Sequence, residues 1–145
     1  MVNQRIATGI AGLMLLCAVS LCEARTVTKV VINGTGLALD DSDPYVQEEC
    51  RKFVPNKKQV ARFFSKAYPV AGRIIHHDRY SPCYAKGTVE FSDHSSGEWW
   101  LYSGGTAILE WLSGDKVYLL YKQNRWRDPF ACMYGMDPDV PCEDQ

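Results

Sequence analysis

The chain has 145 residues, of which 46% are hydrophobic and 23% are charged, and its formal net charge is −1 at pH 7. These values are typical of a globular protein and exclude a disordered or collagen-like chain. The near-zero charge gives no electrostatic reason to expect a nucleic acid or an anionic membrane as the partner. The length fits one domain.

The first segment has the pattern of a secretory signal peptide. A single basic residue, Arg5, precedes an apolar run over residues 6–22, and small residues precede a cleavage site after Ala24. The run is shorter than the ~20 residues that a membrane-spanning helix needs. We therefore expect a cleaved signal over residues 1–24 and a single exported domain over residues 25–145. An uncleaved anchor and a lipidated cysteine are the alternatives.

A strand and a short helix are predicted to begin the exported domain. Residues 26–32 are rich in valine and other β-branched residues, which favours a strand. Asp43 is a good helix cap and is followed by Pro44, a residue that suits the first helical position. A short helix over about residues 44–52 follows from this pair.

The best-specified helix in the sequence begins after Asn56. Asn56 and Gln59 have the spacing of a capping box. Proline at position 69 disfavours helical geometry in the residue before it and ends the helix. The residues that share one face of this helix at the expected spacing are Val60, Phe63, Phe64 and Ala67.

The rest of the chain is predicted to form strands joined by short turns. Residues 84–92 alternate between apolar and polar, as a strand with one buried face does. Further strands are predicted over residues 70–76, 98–103, 106–112 and 116–122. Turns this short favour sequential antiparallel pairing. We therefore expect an α+β fold, in which an antiparallel meander of four to five strands packs the main helix on one face.

Four cysteines remain once the signal is removed, and in a short exported chain they predict two disulfides. They are Cys50, Cys83, Cys132 and Cys142. A zinc site is less well supported, because four-cysteine sites are built from closely spaced pairs and these cysteines are far apart. The preferred pairing joins Cys50 to Cys83 across the fold and Cys132 to Cys142 locally, although the sequence also allows other pairings.

The histidines invite a metal or hydrolase interpretation. His76, His77 and His94 could approach one another on loops, but exposed polar residues at hairpin turns are the simpler explanation. A catalytic triad drawn from Ser81, His77 and Asp78 lacks the nucleophile elbow of serine hydrolases. We therefore prefer exposed polar residues to a metal site or a hydrolase as the explanation of the histidines.

Paired carboxylates could indicate a glycosidase. The candidates are Glu90, Glu98 and Glu110, each predicted to lie in the middle of a strand on its solvent side. No cofactor motif is recognisable. We therefore expect no catalytic residue, no metal and no cofactor.

Aromatic residues are the most informative feature for function. Residues 99–102 and 117–121 are apolar throughout, whereas a half-buried strand alternates. The helix covers one face of these strands, and the other needs the C-terminal tail, the first strand or another protein. Aromatic residues beside arginine are enriched in protein interfaces. The residues predicted to contact a protein partner are Trp100, Tyr102, Tyr118, Arg125, Trp126 and Arg127.

Several segments resemble those of small secreted proteobacterial proteins of unassigned function. They are Tyr-Ser-Pro-Cys-Tyr at residues 80–84, the Gly-x-Val-x-Phe strand at 87–91, residues 97–105 and Pro-Phe-Ala-Cys at 129–132. The likeness covers most of the exported part. It implies no functional residue, since no characterised family is attached to it.

The sequence thus favours a non-catalytic periplasmic or secreted binding protein. The concrete form of this hypothesis is an inhibitor or immunity-type protein that blocks an extracytoplasmic toxin or hydrolase. Its partner would be another secreted or periplasmic protein, without nucleic acid and without a stable membrane span, and its oligomeric state is left open. The alternatives are an envelope-associated structural protein that docks through an open sheet edge and a small secreted hydrolase that uses a histidine.

Overall fold

A six-stranded antiparallel sheet forms the centre of the structure, in the strand order β1-β3-β4-β5-β6-β2. The structure is a computed structural model that describes residues 25–39 and 43–134, without the side chain of Met133. The strands are β1 (Val27–Ala38), β2 (Tyr68–Pro69), β3 (Cys83–Phe91), β4 (Ser96–Tyr102), β5 (Thr106–Trp111) and β6 (Lys116–Leu120). The helices are α1 (Pro44–Cys50) and α2 (Lys57–Lys66), with a π-helical segment at Ile74–Asp78 and a 3-10 turn at Ala131–Met133.

The sheet is wider than predicted. Strands β3 to β6 pair in sequence as an antiparallel meander, as the short turns indicated. Two further strands lie at the edges, where β1 pairs with β3 and the two-residue β2 pairs with β6. The expected four to five strands are therefore six.

Strand β3 shows the predicted alternation. Ala85, Val89 and Phe91 are buried on the face that points towards the helices. Gly87 lies on the same face, where the backbone of β1 approaches so closely that a Cβ atom would collide with the carbonyl oxygen of Val31. Glycine at this position lets β1 and β3 pair at close range.

Helix α2 begins at the predicted capping box. The Asn56 side chain accepts a hydrogen bond from the Gln59 backbone N–H at 2.9 Å, and the Asn56 backbone N–H donates to the Gln59 side chain at 2.8 Å. Val60 and Phe63 are completely buried, and the ring of Phe64 lies 6.0 Å from that of Trp99 on β4. The hydrophobic core therefore lies between α2 and one face of the sheet.

The strand predicted over residues 70–76 is wrong. Only Tyr68–Pro69 pair with β6, and the chain then turns into the π-helical segment Ile74–Asp78. Ile75 in this segment is 4% exposed and is buried against the sheet. Tertiary burial thus overrides the strand preference of the β-branched isoleucines. The segment covers one end of the sheet face that points away from α2.

Candidate functional site

The Cys50–Cys83 disulfide ties the end of α1 to the start of β3. Both cysteines are completely buried, and the pairing is the predicted one. Cys132 is disulfide-bonded as well, and Cys142, its predicted partner, lies outside the described residues. The Cys50–Cys83 bond fixes α1 on the helix side of the sheet.

The predicted contact residues on the strands lie on the face that points away from α2. Trp100 is paired with Ile108, which is paired with Tyr118 on the next strand. Trp100 and Tyr118 are half-buried, and the ring of Tyr118 lies 5.8 Å from that of His76. The π-helical segment therefore covers part of this face, for which the C-terminal tail, the first strand or another protein was expected.

Tyr102 is a poor anchor for a partner because its side chain is already buried. It is only 8% exposed, and its ring lies 6.1 Å from that of Tyr84. Burial, reinforced by the neighbouring tyrosines, raises the pKa of Tyr102 to about 12. The phenol is held neutral inside the fold.

Trp126 lies on the opposite side of the sheet, with the helices. Its indole stacks on Phe63 at a centroid distance of 6.0 Å and meets Phe53 edge-on at 5.6 Å. Side chains of consecutive strand residues point to opposite faces, so Trp100 faces away from Trp99 and from this cluster. The predicted residues therefore do not form one aromatic patch, since the sheet separates Trp100 and its neighbours from Trp126.

A groove opens on the helix side of the sheet and has Trp126 in its wall. Its volume is about 660 Å³, and its apolar lining comes from α1, the loop after α1 and the chain near Trp126. We call it the Trp126 groove. Its apolar lining residues are Tyr45, Phe53, Val54, Pro55, Trp126 and Pro129. Tyr45 is 65% exposed and Val54 63%, so both present apolar surface to solvent.

Basic residues flank the groove. Arg127 is part of its lining. A smaller pocket of about 210 Å³, which Trp126 also lines, is lined by Lys58, Arg62 and Arg125. All four basic side chains are exposed. The groove therefore has both apolar and polar lining residues, with further basic residues beside it. Of the predicted contact set, Trp126 and Arg127 line the groove, and Arg125 lines the neighbouring pocket.

A cluster of hydroxyl groups holds the chain that follows the groove. One carboxylate oxygen of Asp128 accepts hydrogen bonds from Ser81 Oγ at 3.1 Å, from Ser103 Oγ at 2.9 Å and from the Phe130 backbone N–H at 3.1 Å. The other accepts from the Tyr134 hydroxyl. Ser81 and Ser103 are each 2% exposed. This network anchors Pro129 and hence one side of the groove.

Tyr134 closes the same cluster. The guanidinium of Arg79 lies 4.9 Å from the centre of its ring, and Arg79 Nε donates to the Gly104 carbonyl at 3.0 Å. Burial first, and then the hydrogen bond to Asp128, raises the pKa of Tyr134. The hydroxyl groups of this cluster supply hydrogen bonds to the partly buried carboxylate of Asp128. This is a structural role.

Sequence reasoning did not identify Tyr45, Phe53, Val54 or Pro55. One signal was present, since residues 53–55 are an apolar run between two predicted helices. Asp128 gave no signal, because its partners are 47 and 25 positions away in the chain.

The catalytic triad that the sequence allowed is not assembled. The Ser81 hydroxyl lies 2.7 Å from that of Ser103 and donates to Asp128, whereas His77 Nδ1 lies 2.9 Å from Asp78. The hydrogen bond from His77 lowers the pKa of Asp78, and both residues are on the π-helical segment. No serine–histidine contact forms among them.

The remaining candidates for chemistry are spread over the surface. Glu98 lies opposite Glu110 on neighbouring strands, and Glu110 is ion-paired with Lys116 at 3.0 Å. His94 occupies the turn between β3 and β4 with a φ of 64°. Within residues 25–39 and 43–134, no group of three or more His, Cys, Asp or Glu side chains is placed to hold a metal ion.

No family model matches this chain, and comparison with curated proteins and with solved structures gives no match either. Within the described part of the chain, no helix is long and apolar enough to cross a membrane. The functional proposal is therefore argued from the geometry of the Trp126 groove.

Proposed function

We propose that this protein is a non-catalytic exported binding protein that contacts another secreted or periplasmic protein through the Trp126 groove. The observation that carries the proposal is the exposure of Tyr45 and Val54 at the mouth of a groove of about 660 Å³. Large apolar side chains exposed beside a cavity and rimmed by arginine are the usual composition of a protein contact.

The walls of the groove are held in place before any partner binds. The Cys50–Cys83 disulfide fixes α1, which carries Tyr45, and the hydrogen bonds of Asp128 fix the chain at Pro129. A preformed surface loses little conformational entropy on association, which favours affinity. This arrangement suits a protein that acts by steric blocking.

The concrete proposal is an inhibitor or immunity-type protein whose groove face covers the active region of an extracytoplasmic toxin or hydrolase. Such a role needs a rigid contact surface and no reacting group. The expected signal segment and the disulfides support an exported location. The envelope-associated role is the second candidate, because β1 is a 12-residue strand at the sheet edge and could accept a partner strand.

The test compares two groove variants and one control variant of the oxidised protein, each with a single alanine substitution. The wild type is used to capture partners from the source's own secreted and envelope proteins, and the affinity of the captured protein is then measured for each variant. Tyr45→Ala and Val54→Ala each remove exposed groove surface, and Leu112→Ala removes a side chain that is 83% exposed at the β5–β6 turn. We expect at least one groove variant to lose about 2 kcal/mol or more of binding free energy. The control is expected to bind like the wild type.

Equal binding by all three variants would contradict the groove as the contact surface. If binding then fell on proline substitution in β1, the partner would be joining the sheet edge, since strand addition depends on backbone groups. The two candidate functions are separated in this way.

A further inference from the structure

We infer that the Trp126 groove takes an acidic segment of a protein partner, one that presents aspartate or glutamate side chains beside apolar ones. This inference rests on the proposed function and adds the chemistry of the partner. It is carried by the distribution of charge around the groove.

Four basic side chains lie in or beside the groove and have no ion-pair carboxylate among the described residues. Arg127 lines the groove, and Lys58, Arg62 and Arg125 line the smaller pocket that Trp126 also lines. Among the described residues, no carboxylate oxygen lies within the 4.0 Å of an ion pair from any of the four. Arg62 Nε donates to the Tyr121 hydroxyl at 3.4 Å.

Glu49, the acidic residue in the groove lining, already has an ion-pair partner. Glu49 is ion-paired with Lys52 at 2.5 Å, and it forms no ion pair with the four basic side chains. The whole chain carries a formal net charge of −1, which means that this excess of positive charge is local. A local charge of one sign at a binding groove selects partners of the opposite sign and speeds their approach.

Carboxylates fit these groups better than the phosphates of nucleic acids or lipids do. A guanidinium binds carboxylates and phosphates alike in a bidentate manner, so the apolar residues of the groove decide between them. These residues supply contacts for the side chains that neighbour a carboxylate in a peptide.

The experiment uses the oxidised full exported chain against a display library of random peptides of about twelve residues. The library is screened with the wild type and with two double variants of equal charge change. Arg125→Glu with Arg127→Glu reverses charge at the groove. Lys29→Glu with Lys86→Glu reverses charge at exposed positions on the strands β1 and β3.

We expect the wild type and the strand control to enrich peptides that contain Asp or Glu next to aromatic or aliphatic residues. The groove variant is expected to bind the same peptides at least about tenfold more weakly. Raising the salt concentration from about 0.05 M to about 0.5 M is expected to weaken binding to the wild type several-fold, because exposed charges are screened.

Three results would overturn the inference. The proposal of an acidic partner would be contradicted if the enriched peptides lacked acidic residues, or if they bound the groove variant as well as the wild type. Preference for heparin or single-stranded DNA over the peptides would assign the cations to a polyanion. Self-association that the groove variant abolishes would assign them to a second copy of the chain. In the first case, loss of peptide binding in Tyr45→Ala would still support binding through the groove. Failure of the acidic-partner inference can thus be distinguished from failure of the proposed function.

Discussion

The indole of Trp126 stacks on the phenyl ring of Phe63, with centroids 6.0 Å apart and planes inclined by 24°. One face of the indole therefore completes the core above α2, while the residue also lines the groove on the surface. A single side chain thus links the packing of the main helix to the shape of the candidate binding site.

Trp126 is predicted to stabilise the fold by packing and not by a hydrogen bond. Its Nε1 is buried and has no hydrogen-bond partner among the described residues, so Trp126→Phe loses no such bond. We expect Trp126→Phe to lower the free energy of unfolding by about 1 kcal/mol, and Trp126→Ala by about 2–4 kcal/mol, because it leaves a cavity against Phe63 and Phe53. Urea unfolding followed by circular dichroism measures both. Equal losses in the two variants would show that the ring does not pack as described.

Removal of Asp128 is predicted to loosen the chain beside the groove. Asp128→Ala leaves the buried hydroxyls of Ser81 and Ser103 without their carboxylate partner, and we expect a loss of about 2–4 kcal/mol of unfolding free energy. The matched control is Asp115→Ala, at an exposed turn where the carboxylate accepts a single side-chain bond from Ser113. It is expected to lose about 0.5 kcal/mol or less. A result in which Asp128→Ala behaves like the control would argue against the network.

Two glycines are predicted to differ sharply in their tolerance of alanine. At Gly87 a Cβ atom would collide with the Val31 carbonyl oxygen and lie 2.6 Å from the Trp99 ring, so Gly87→Ala must push β1 and β3 apart. We expect a loss of more than about 3 kcal/mol. Gly114 has a φ of +90° but nothing within 4 Å of an added Cβ. Gly114→Ala is therefore expected to lose only about 1 kcal/mol, from its backbone conformation. Thermal unfolding of both variants checks the order, which would be reversed if β1 did not pair closely with β3.

The stability of the fold is predicted to fall at alkaline pH through Tyr102. Its pKa is raised to about 12 in the folded state, against about 10 in the unfolded chain. The folded protein therefore keeps a proton that the unfolded chain loses, so this contribution is complete below pH 10 and declines as the pH rises towards 12. A pKa difference of this size corresponds to about 2–3 kcal/mol at most.

Unfolding curves at successive pH values measure this effect in the wild type and in Tyr102→Phe. The variant is expected to have a shallower decline between pH 10 and 12. Tyr45→Phe removes an exposed phenol and serves as the control. If the decline were the same in all three proteins, the phenol of Tyr102 would not be buried as described.

Local sequence patterns predicted local structure well. The capping box of Asn56 and Gln59 forms as expected, and the alternation along β3 buries Ala85 and Val89. These features depend on neighbours in the chain, so the residue types are enough to identify them. The Cys50–Cys83 pairing was preferred but not determined by the sequence, since it depends on how α1 meets β3.

Features that depend on distant parts of the chain were not predictable in the same way. Residues 70–76 have the composition of a strand, yet burial of Ile75 against the sheet favours a helical turn. Likewise, Trp100 and Trp126 both look like interface residues, and only the placement of the tail beside α2 shows that the sheet separates them. The partners of Asp128 could not be found from spacing, because three separate segments supply them.

Site-specific photo-crosslinking tests the central claim most directly. The photo-reactive residue p-benzoylphenylalanine is placed at Val54 in the groove or at Leu112 in the β5–β6 turn, both of which are exposed. Each protein is expressed in its own source and irradiated in place, and its cross-linked products are identified by mass spectrometry. We predict that position 54 yields one specific exported protein and that position 112 does not capture it. Capture at position 112 alone, or of the same proteins at both positions, would contradict binding through the Trp126 groove.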